Sequence, residues 1–356
     1  GYKALNSFNL DDPAIALPGD YFNTNLWTGN GSTGQSINVG FQPDFLWTKE
    51  RTEATYPGLR NSVTGVTKSM SSAMTNAEYT ETNGVTAFTS TGFNLSGDGY
   101  FYVNRTGKTM VGWSWKAGGT AVSNSDGSIT SSVSANTTAG FSIVSYTSSY
   151  SGTPSVGHGL GQKPDLILVK NRTAVANWGG YSSALTSLYK INLNLTSASA
   201  TTNQWADTEP TSSVFYLPDD GDGETNETPN TYIAYCFASI DGYSKVGSYT
   251  GNNNADGPFI YTGFRPAWVM VKSYSAGGTH YDWPIYDSAR STYNAVGNVL
   301  EANQSQAEIT GTGRGLPIDF LSNGFKHRSS YGENNSTASY IYLAFAESPF
   351  KTSNAR

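Results

Sequence analysis

The chain has 356 residues, of which 37% are hydrophobic and 13% charged, and its formal net charge is −6. This length allows two or three domains with packed cores. The acidic balance and the absence of any Lys/Arg run exclude a phosphate-binding surface large enough for nucleic acid. No apolar stretch approaches the roughly 20 residues that a membrane-spanning helix needs, so membrane insertion is not expected.

Residues 1–20 form a segment that matches no later part of the chain. The first residue is Gly rather than Met, and the segment lacks the charged-then-apolar pattern of a signal peptide. We therefore expect these residues to be the tail of an upstream domain or a connector. The chain itself is then expected to be a fragment of a longer polypeptide.

Three stretches, at residues 40–49, 161–170 and 263–272, carry nearly the same pattern. In each, Gly comes three residues before Pro, Lys comes six residues after it, and the residues between are mostly apolar. The pattern predicts a turn, a fully buried strand and a return to solvent. The three prolines lie roughly 100 to 120 residues apart. Solenoid and propeller repeats are much shorter, so we expect each unit to hold its own core.

The remainder of each unit has the pattern of short strands. Segments rich in Val, Ile, Tyr, Trp and Thr alternate with Gly, Asn, Ser, Asp and Pro clusters, which is typical of all-β proteins. Helical periodicity is limited to residues 68–78 and 293–308, where short helices or turns are expected. The predicted fold is all-β, with three tandem divergent β-sandwich or jelly-roll-like repeat units and few short helices. Unit 1 spans residues 21–120, unit 2 spans 121–241, unit 3 spans 242–350, and 351–356 form a C-terminal tail.

The segment 117–140 between the first two units is almost entirely Gly, Ser, Thr, Asn and Ala. Such a composition is typical of a flexible linker. However, Ile129 and Val133 are spaced among the polar residues, which fits a polar edge strand equally well. Both interpretations stay open at this point.

Cys236 is the single cysteine of the chain and lies within a predicted strand. We interpret it as a small buried apolar residue, because no nearby His or exposed turn favours a catalytic thiol. A β-protein of this size without an internal disulfide is expected to fold in a reducing cytoplasm.

The densest acidic cluster lies at residues 219–224. Its alternating carboxylates and glycines could wrap a hard cation such as Ca²⁺, with Asp220, Asp222 and Glu224 as ligands and Asn226 completing the set. The spacing is not that of an EF-hand loop, and a solvated hairpin tip is the other interpretation. No other cofactor is expected.

Aromatic residues in polar surroundings are the candidate binding groups. Trp178, Trp205, Tyr281 and Trp283 lie among Asn, Asp, Gln and Gly, and sugar rings stack on exposed aromatic faces while their hydroxyls suit polar neighbours. Packing between repeats or between subunits would use the same residues. Hydrolysis would need two carboxylates at a set distance, which the sequence does not indicate, so no catalytic residue and no enzyme activity are predicted.

Three groups of residues carry a resemblance to a known class of proteins. These are 139–147 (AGFSIVSYT), 156–161 (VGHGLG) with 170–172 (KNR), and 248–251 (SYTG) with 256–259 (DGPF). Together they resemble the repeats of tail or tail-fibre-like virion proteins of marine bacteriophages, in the region that follows a concanavalin A-like or SPRY-type domain. The similarity covers about residues 21–350.

The resemblance implies a structural or adhesive virion component that is made in the host cytoplasm and assembled with other virion proteins. We expect a homo-oligomer, most simply a trimer, because fibres and spikes use cyclic symmetry. A host-surface polysaccharide is the expected ligand, bound without cleavage. The alternatives are a carbohydrate-binding module of a non-viral surface protein and a glycan depolymerase.

Overall fold

The computed structural model describes residues 9–150, 152–219, 221–310 and 316–353. Within these ranges the chain is all-β, which confirms the predicted class, and the 3₁₀ helix Pro18–Asp20 is a short helical turn before the first strand. At 68–78 and 293–308, where short helices or turns were expected, the helices are absent, and each segment contains a turn and a two-residue strand. None of the described helical segments has the length and apolar character needed to cross a bilayer.

Unit 1 begins with strand β1 and ends with β9. Its strands are β1 (Phe22–Thr28), β2 (Gln35–Asn38), β3 (Phe45–Glu50), β4 (Gly58–Asn61), β5 (Lys68–Ser69), β6 (Tyr79–Thr80), β7 (Gly84–Thr89), β8 (Gly92–Ser96) and β9 (Thr109–Trp115). The main sheet has the order β1-β9-β3-β4, and a smaller sheet has the order β2-β8-β7.

Unit 2 contributes the largest sheet. Its strands are β10 (Val122–Asn124), β11 (Ser131–Asn136), β12 (Phe141–Thr147), β13 (Ser155–Gly157), β14 (Leu166–Asn171), β15 (Gly179–Ser182), β16 (Tyr189–Asn192), β17 (Ala200–Thr201), β18 (Val214–Tyr216) and β19 (Thr231–Phe237). The main sheet has the order β10-β11-β12-β19-β14-β15-β16-β17, and β13 pairs with β18.

Unit 3 is built in the same way. Its strands are β20 (Ser244–Thr250), β21 (Phe259–Tyr261), β22 (Phe264–Ser273), β23 (Pro284–Asp287), β24 (Leu300–Glu301), β25 (Ile318–Leu321), β26 (Gly324–His327) and β27 (Ser339–Pro349). The main sheet has the order β20-β27-β22-β23-β24, and the smaller one has the order β21-β26-β25.

The three main sheets share one antiparallel order of four strands. The strands correspond one to one in the orders β1-β9-β3-β4, β12-β19-β14-β15 and β20-β27-β22-β23. Pro43 and Pro164 each lie two residues before the third strand of that order, whereas Pro266 lies inside it, at a shift of register beside Arg265. The repeated segments thus occupy corresponding strands, while the unit boundaries drawn from the sequence stay predictions.

The polar segment between the first two units is an edge of the unit 2 sheet. Strands β10 and β11 pair with each other, and β11 pairs with β12. Ile129 and Val133 are buried against the second unit's core. The edge-strand interpretation is therefore confirmed, and a flexible linker is excluded.

A central hydrophobic cluster draws side chains from all three main sheets. Aromatic rings make the contacts between each pair of units. The ring centroids are 4.3 Å apart in Phe45–Tyr235, 5.7 Å apart in Trp115–Trp268 and 6.1 Å apart in Phe237–Phe345. The opposite face of each main sheet packs on its own smaller sheet over a separate cluster. Each unit thus has its own hydrophobic core, and the three units also share a central one. The sequence did not predict the shared core.

The repeated lysines do not return to solvent as the sequence predicted. Lys49, Lys170 and Lys272 are all buried. Lys170 donates to the carbonyl of Thr75 in unit 1 at 3.1 Å, and Lys49 donates to that of Ser305 in unit 3 at 3.2 Å. Burial lowers the pKa of Lys49 and Lys170 to about 8 and that of Lys272 to about 7, and nearby carboxylates oppose these shifts.

Candidate functional site

An open polar depression lies on unit 1, between the segment that follows β6 and the loop that joins β8 to β9. It has a volume of about 690 Å³ and is lined by residues 80–83 and 98–100, with Gly31 and Thr106. A concave surface with several polar groups and one aromatic ring is the usual form of a small-ligand site. We therefore take this depression as the candidate functional site.

Tyr100 is presented at the depression by a tight turn. Gly97 and Gly99 adopt positive φ angles of +63° and +66°, which favour glycine. A Cβ atom on Gly99 would lie 2.8 Å from the Cα of Gly84, so the loop also needs glycine for its close approach to β7. The turn leaves Tyr100 with 57% of its surface exposed.

One face of the Tyr100 ring is covered by a second tyrosine. Tyr79 stacks on it with ring centroids 4.2 Å apart and an interplanar angle of 26°. Offset stacking of this kind contributes about 1 kcal/mol and orients the ring. Because Tyr79 is itself half-buried, the pair forms a supported aromatic platform at the rim of the depression.

A buried ion pair holds the floor of the site. Glu81 accepts a short hydrogen bond from the Nη2 of Arg60, and its other oxygen accepts the Tyr100 backbone N–H at 2.5 Å. Burial lowers the pKa of Arg60, and the adjacent Glu81 carboxylate opposes that shift. The pair connects the Tyr100 turn to β4, and the guanidinium of Arg60 neutralises the charge of Glu81.

The other polar groups at the site are accessible. Thr82 and Asn83 are exposed and Asp98 is half-buried. Together they offer hydroxyl, amide and carboxylate groups that can donate to or accept from sugar hydroxyls. Basic side chains lie around the lining: the ammonium of Lys68 donates to the hydroxyl of Thr80 at 2.6 Å, and Arg105 and Lys108 both pair with Glu53.

Three of the four aromatic residues that the sequence nominated for glycan binding are buried, so their predicted exposure is wrong. The Trp178 Nε1–H donates to the carbonyl of Ser71 in unit 1 at 2.8 Å, and the Trp283 Nε1–H donates to that of Asn192 in unit 2 at 3.1 Å. These rings join neighbouring units, which was the alternative interpretation.

The other two nominated residues are also engaged by the protein. Trp205 is fully buried in the outer cluster of unit 2, where its ring meets that of Tyr181 at 5.8 Å. Tyr281 is half-buried, and its carbonyl accepts a hydrogen bond from Lys272 at 2.5 Å. Among the nominated aromatics, Tyr281 therefore keeps the largest accessible surface.

The predicted calcium ligands have other roles. Asp222 accepts the backbone N–H groups of Glu224 and Thr225 at 2.7 and 3.2 Å, as a residue that caps a turn does. Asp220 lies outside the described residues. The Asp222 carboxylate organises its own loop through one of its oxygens.

Glu224 is the centre of a hydrogen-bonded cluster. Its carboxylate accepts from the side chains of Asn177, Lys190, Asn192 and Gln204, at distances between 2.7 and 3.1 Å. Burial alone would raise the pKa of Glu224, but the Gln204 hydrogen bond and the Lys190 charge outweigh burial and lower it. Protein donors thus engage both oxygens of the Glu224 carboxylate, and calcium binding by this loop stays a prediction.

Among the described residues, a group of three carboxylates that could hold a cation lies in unit 3. Asp282, Glu301 and Glu333 are buried and each place an oxygen within 4.8 Å of the others. Carboxylate oxygens at such spacing suit a hard cation. No signal in the sequence indicated this group, because its members are far apart along the chain and meet only when β22, β23, β24 and β27 assemble into one sheet.

Comparison with known proteins identifies the family of this chain. The model of the family described as Domain of unknown function (DUF7483) matches residues 17–349, which is nearly the whole chain. No curated protein and no solved structure matches. The chain therefore belongs to the DUF7483 family.

Proposed function

We propose that this chain is a structural and adhesive component of a bacteriophage virion, tail or fibre-like, that contacts host-surface glycan without cleaving it. The virion setting is supported by the sequence resemblance described above. Glycan binding is supported by one structural observation, the exposed Tyr100 ring at the rim of a polar depression.

The chemistry of the depression suits a sugar. A pyranose presents an apolar face of C–H groups, which stacks on a tyrosine ring, and a rim of hydroxyls, which needs donors and acceptors. Tyr100 supplies the ring, and Thr82, Asn83 and Asp98 supply polar groups within the same lining. The Tyr79 stack and the Glu81 hydrogen bond hold the ring before a ligand arrives, which reduces the entropy lost on binding.

A single site of this kind binds weakly. One aromatic stack contributes on the order of 1 kcal/mol, so useful adhesion requires several copies acting together. We therefore propose a homo-oligomer, most simply a trimer, associated with other virion proteins. Light scattering of the purified protein tests the oligomer, and a stable monomer at micromolar concentration would contradict it.

The test of glycan binding is a glycan array probed with the protein in multivalent form. Tyr100→Ala should abolish array binding, and Tyr100→Phe, which keeps the ring, should retain most of it. Tyr293→Ala is the matched control, because Tyr293 is 76% exposed in unit 3 and outside the depression lining. Equal binding by the wild type and Tyr100→Ala would overturn the proposed site.

Two further measurements separate the proposal from its alternatives. New reducing ends on incubation with a bound polysaccharide would favour a depolymerase. Antibodies against the chain should decorate the tail or fibre of phage particles, whereas labelling of a cell surface in the absence of phage would favour a non-viral carbohydrate-binding module.

A further inference from the structure

The charge of the depression restricts which glycans it can hold. Its lining contains two carboxylates, Glu81 and Asp98, and no Lys, Arg or His. Arg60 neutralises Glu81 from the buried side. The ammonium of Lys68 lies beside the lining, where it donates to the hydroxyl of Thr80 at 2.6 Å, but among the described residues it forms no ion pair with Asp98. A ligand that approaches Tyr100 therefore meets the unpaired negative charge of Asp98.

Asp98 is available to a ligand. It is half-buried, and among the described residues its carboxylate makes no hydrogen bond or ion pair; only its backbone carbonyl is used, by the N–H of Val103 at 2.8 Å. Among the described residues, the Asp98 carboxylate therefore does not stabilise its own loop through a hydrogen bond or an ion pair. It contrasts with Asp222 in unit 2, which caps its own turn.

We infer that the depression selects a glycan bearing a free amino sugar, whose ammonium group pairs with Asp98 while its ring stacks on Tyr100. This inference rests on the proposed glycan binding and adds the ligand class. Charge-assisted hydrogen bonds are roughly twice as strong as neutral ones. A neutral sugar should bind more weakly, and a uronic acid should be repelled by the like charge of Asp98.

The experiment compares three oligosaccharide series of equal length: glucosamine, N-acetylglucosamine and galacturonate oligomers, each titrated into the multivalent protein. We expect the glucosamine series to bind about five- to tenfold tighter than the acetylated one. The galacturonate series should show no binding. High salt should reduce the preference for glucosamine, because it screens exposed charges.

Asp98→Asn identifies the source of the preference. It keeps the shape of the side chain and removes the charge, so glucosamine affinity should fall to the acetylated level, which should itself stay unchanged. Asp219→Asn makes the same change of net charge at an exposed position outside the depression and should leave both affinities as they are. Tyr100→Ala should weaken both series.

The outcomes separate this inference from the proposed function. Tyr100-dependent binding of the acetylated series with no gain for glucosamine would overturn the amino-sugar inference and leave glycan binding standing. A glucosamine preference that survives in Asp98→Asn would assign it to the overall negative charge and also overturn the inference. Binding of none of the three series, with no hit on a broad array, would overturn the proposed function itself.

Discussion

Units 2 and 3 share an arrangement of hydrogen-bonded side chains around a buried tryptophan, which we call the corner of the main sheet. The charged groups around the corner differ between the two units. In both, a buried tryptophan follows a polar residue, and its backbone N–H donates at 2.9 Å to an asparagine, Asn194 for Trp178 and Asn303 for Trp283. The amide of that asparagine in turn donates to the polar residue before the tryptophan.

The polar residue is Asn177 in unit 2 and Asp282 in unit 3. Asn177 belongs to a cluster with one central carboxylate, that of Glu224, surrounded by donors, whereas Asp282 belongs to a group of three carboxylates. The corner therefore depends on the bonds between the tryptophan and its asparagine, and the surrounding charges differ between units.

Truncation of the corner tryptophans should give the largest effect on stability. We expect Trp178→Ala and Trp283→Ala each to lower the free energy of unfolding by about 4 kcal/mol, because each leaves a large cavity between two units. Trp178→Phe should cost about 2 kcal/mol, since it keeps most of the ring but loses the hydrogen bond to Ser71. Denaturant titration with unchanged m-values measures both, and a loss below about 1 kcal/mol would contradict the role assigned to these rings.

The charge difference between the corners can be tested by making unit 2 resemble unit 3. Asn177→Asp replaces a donor to Glu224 with a second carboxylate, so we expect a loss of about 2 kcal/mol. Asn177→Ala removes the hydrogen bond without adding charge and should cost about 1 kcal/mol. Equal losses for the two variants would show that like-charge repulsion is unimportant at this corner.

The two corners should also differ in their dependence on pH. Lys272 and Lys170 have pKa values lowered by burial to about 7 and about 8, against 10.5 for the ordinary side chain. Between the lowered value and 10.5 the unfolded chain binds more protons than the folded one, so stability rises with pH. From pH 7 to pH 9 we expect a gain of about 2 kcal/mol from Lys272 and about 1 kcal/mol from Lys170.

Methionine variants isolate these contributions. The unfolding free energy of Lys272→Met should rise less between pH 7 and pH 9 than that of the wild type, and Lys170→Met should show a smaller difference. Each comparison uses the slope with pH, so a constant packing change in the variant cancels. A wild-type slope that neither variant alters would mean that both ammonium groups titrate as in the unfolded chain.

The smallest effect on stability is expected at the candidate site of unit 1. Tyr100→Ala should lower the free energy of unfolding by less than about 1 kcal/mol, because the ring is 57% exposed and loses chiefly its stack on Tyr79. The same variant should abolish glycan binding. A stability loss near that of Trp178→Ala would show that Tyr100 serves packing instead.

The fold class was predictable because each repeated Gly–Pro–Lys segment has the apolar run of a strand buried on both faces. In β3, Phe45 and Trp47 face the central cluster while Leu46 faces the outer one. The common core could not be predicted, since an apolar run does not reveal whether its two faces meet one unit or two. The burial of the lysine that ends each run was hidden for the same reason.

The site was missed because polar sequence neighbours were taken as a sign of exposure. Trp178 and Trp283 have polar neighbours along the chain, but their indole N–H groups reach carbonyls of adjacent units, which satisfies them in a buried setting. The available signal for Tyr100 was the Gly97–Asp98–Gly99 turn before it, which places a single aromatic residue on a tight loop. Turn chemistry was a better guide to exposure here than the size of the aromatic ring.

Asparagine provided another signal that only the structure explains. Asn104, Asn226 and Asn335 are fully buried, and each accepts a backbone N–H from the loop that follows the first strand of the shared four-strand order, which is β1, β12 or β20. They lie at corresponding places, four or five residues before β9, β19 and β27. The sequence suggested Asn226 as a possible calcium ligand, whereas its buried amide joins two loops.

The central cluster has a consequence for how the three units can diverge over evolutionary time. In an assembly of identical subunits, a mutation that creates a binding surface appears in every copy. Here three related sheets are enclosed within one polypeptide, so each copy inherits its own substitutions while the shared core holds the assembly together. Unit 1 can therefore open a depression around Tyr100 while units 2 and 3 keep closed polar corners, so a single chain can present three different surfaces on one shared core.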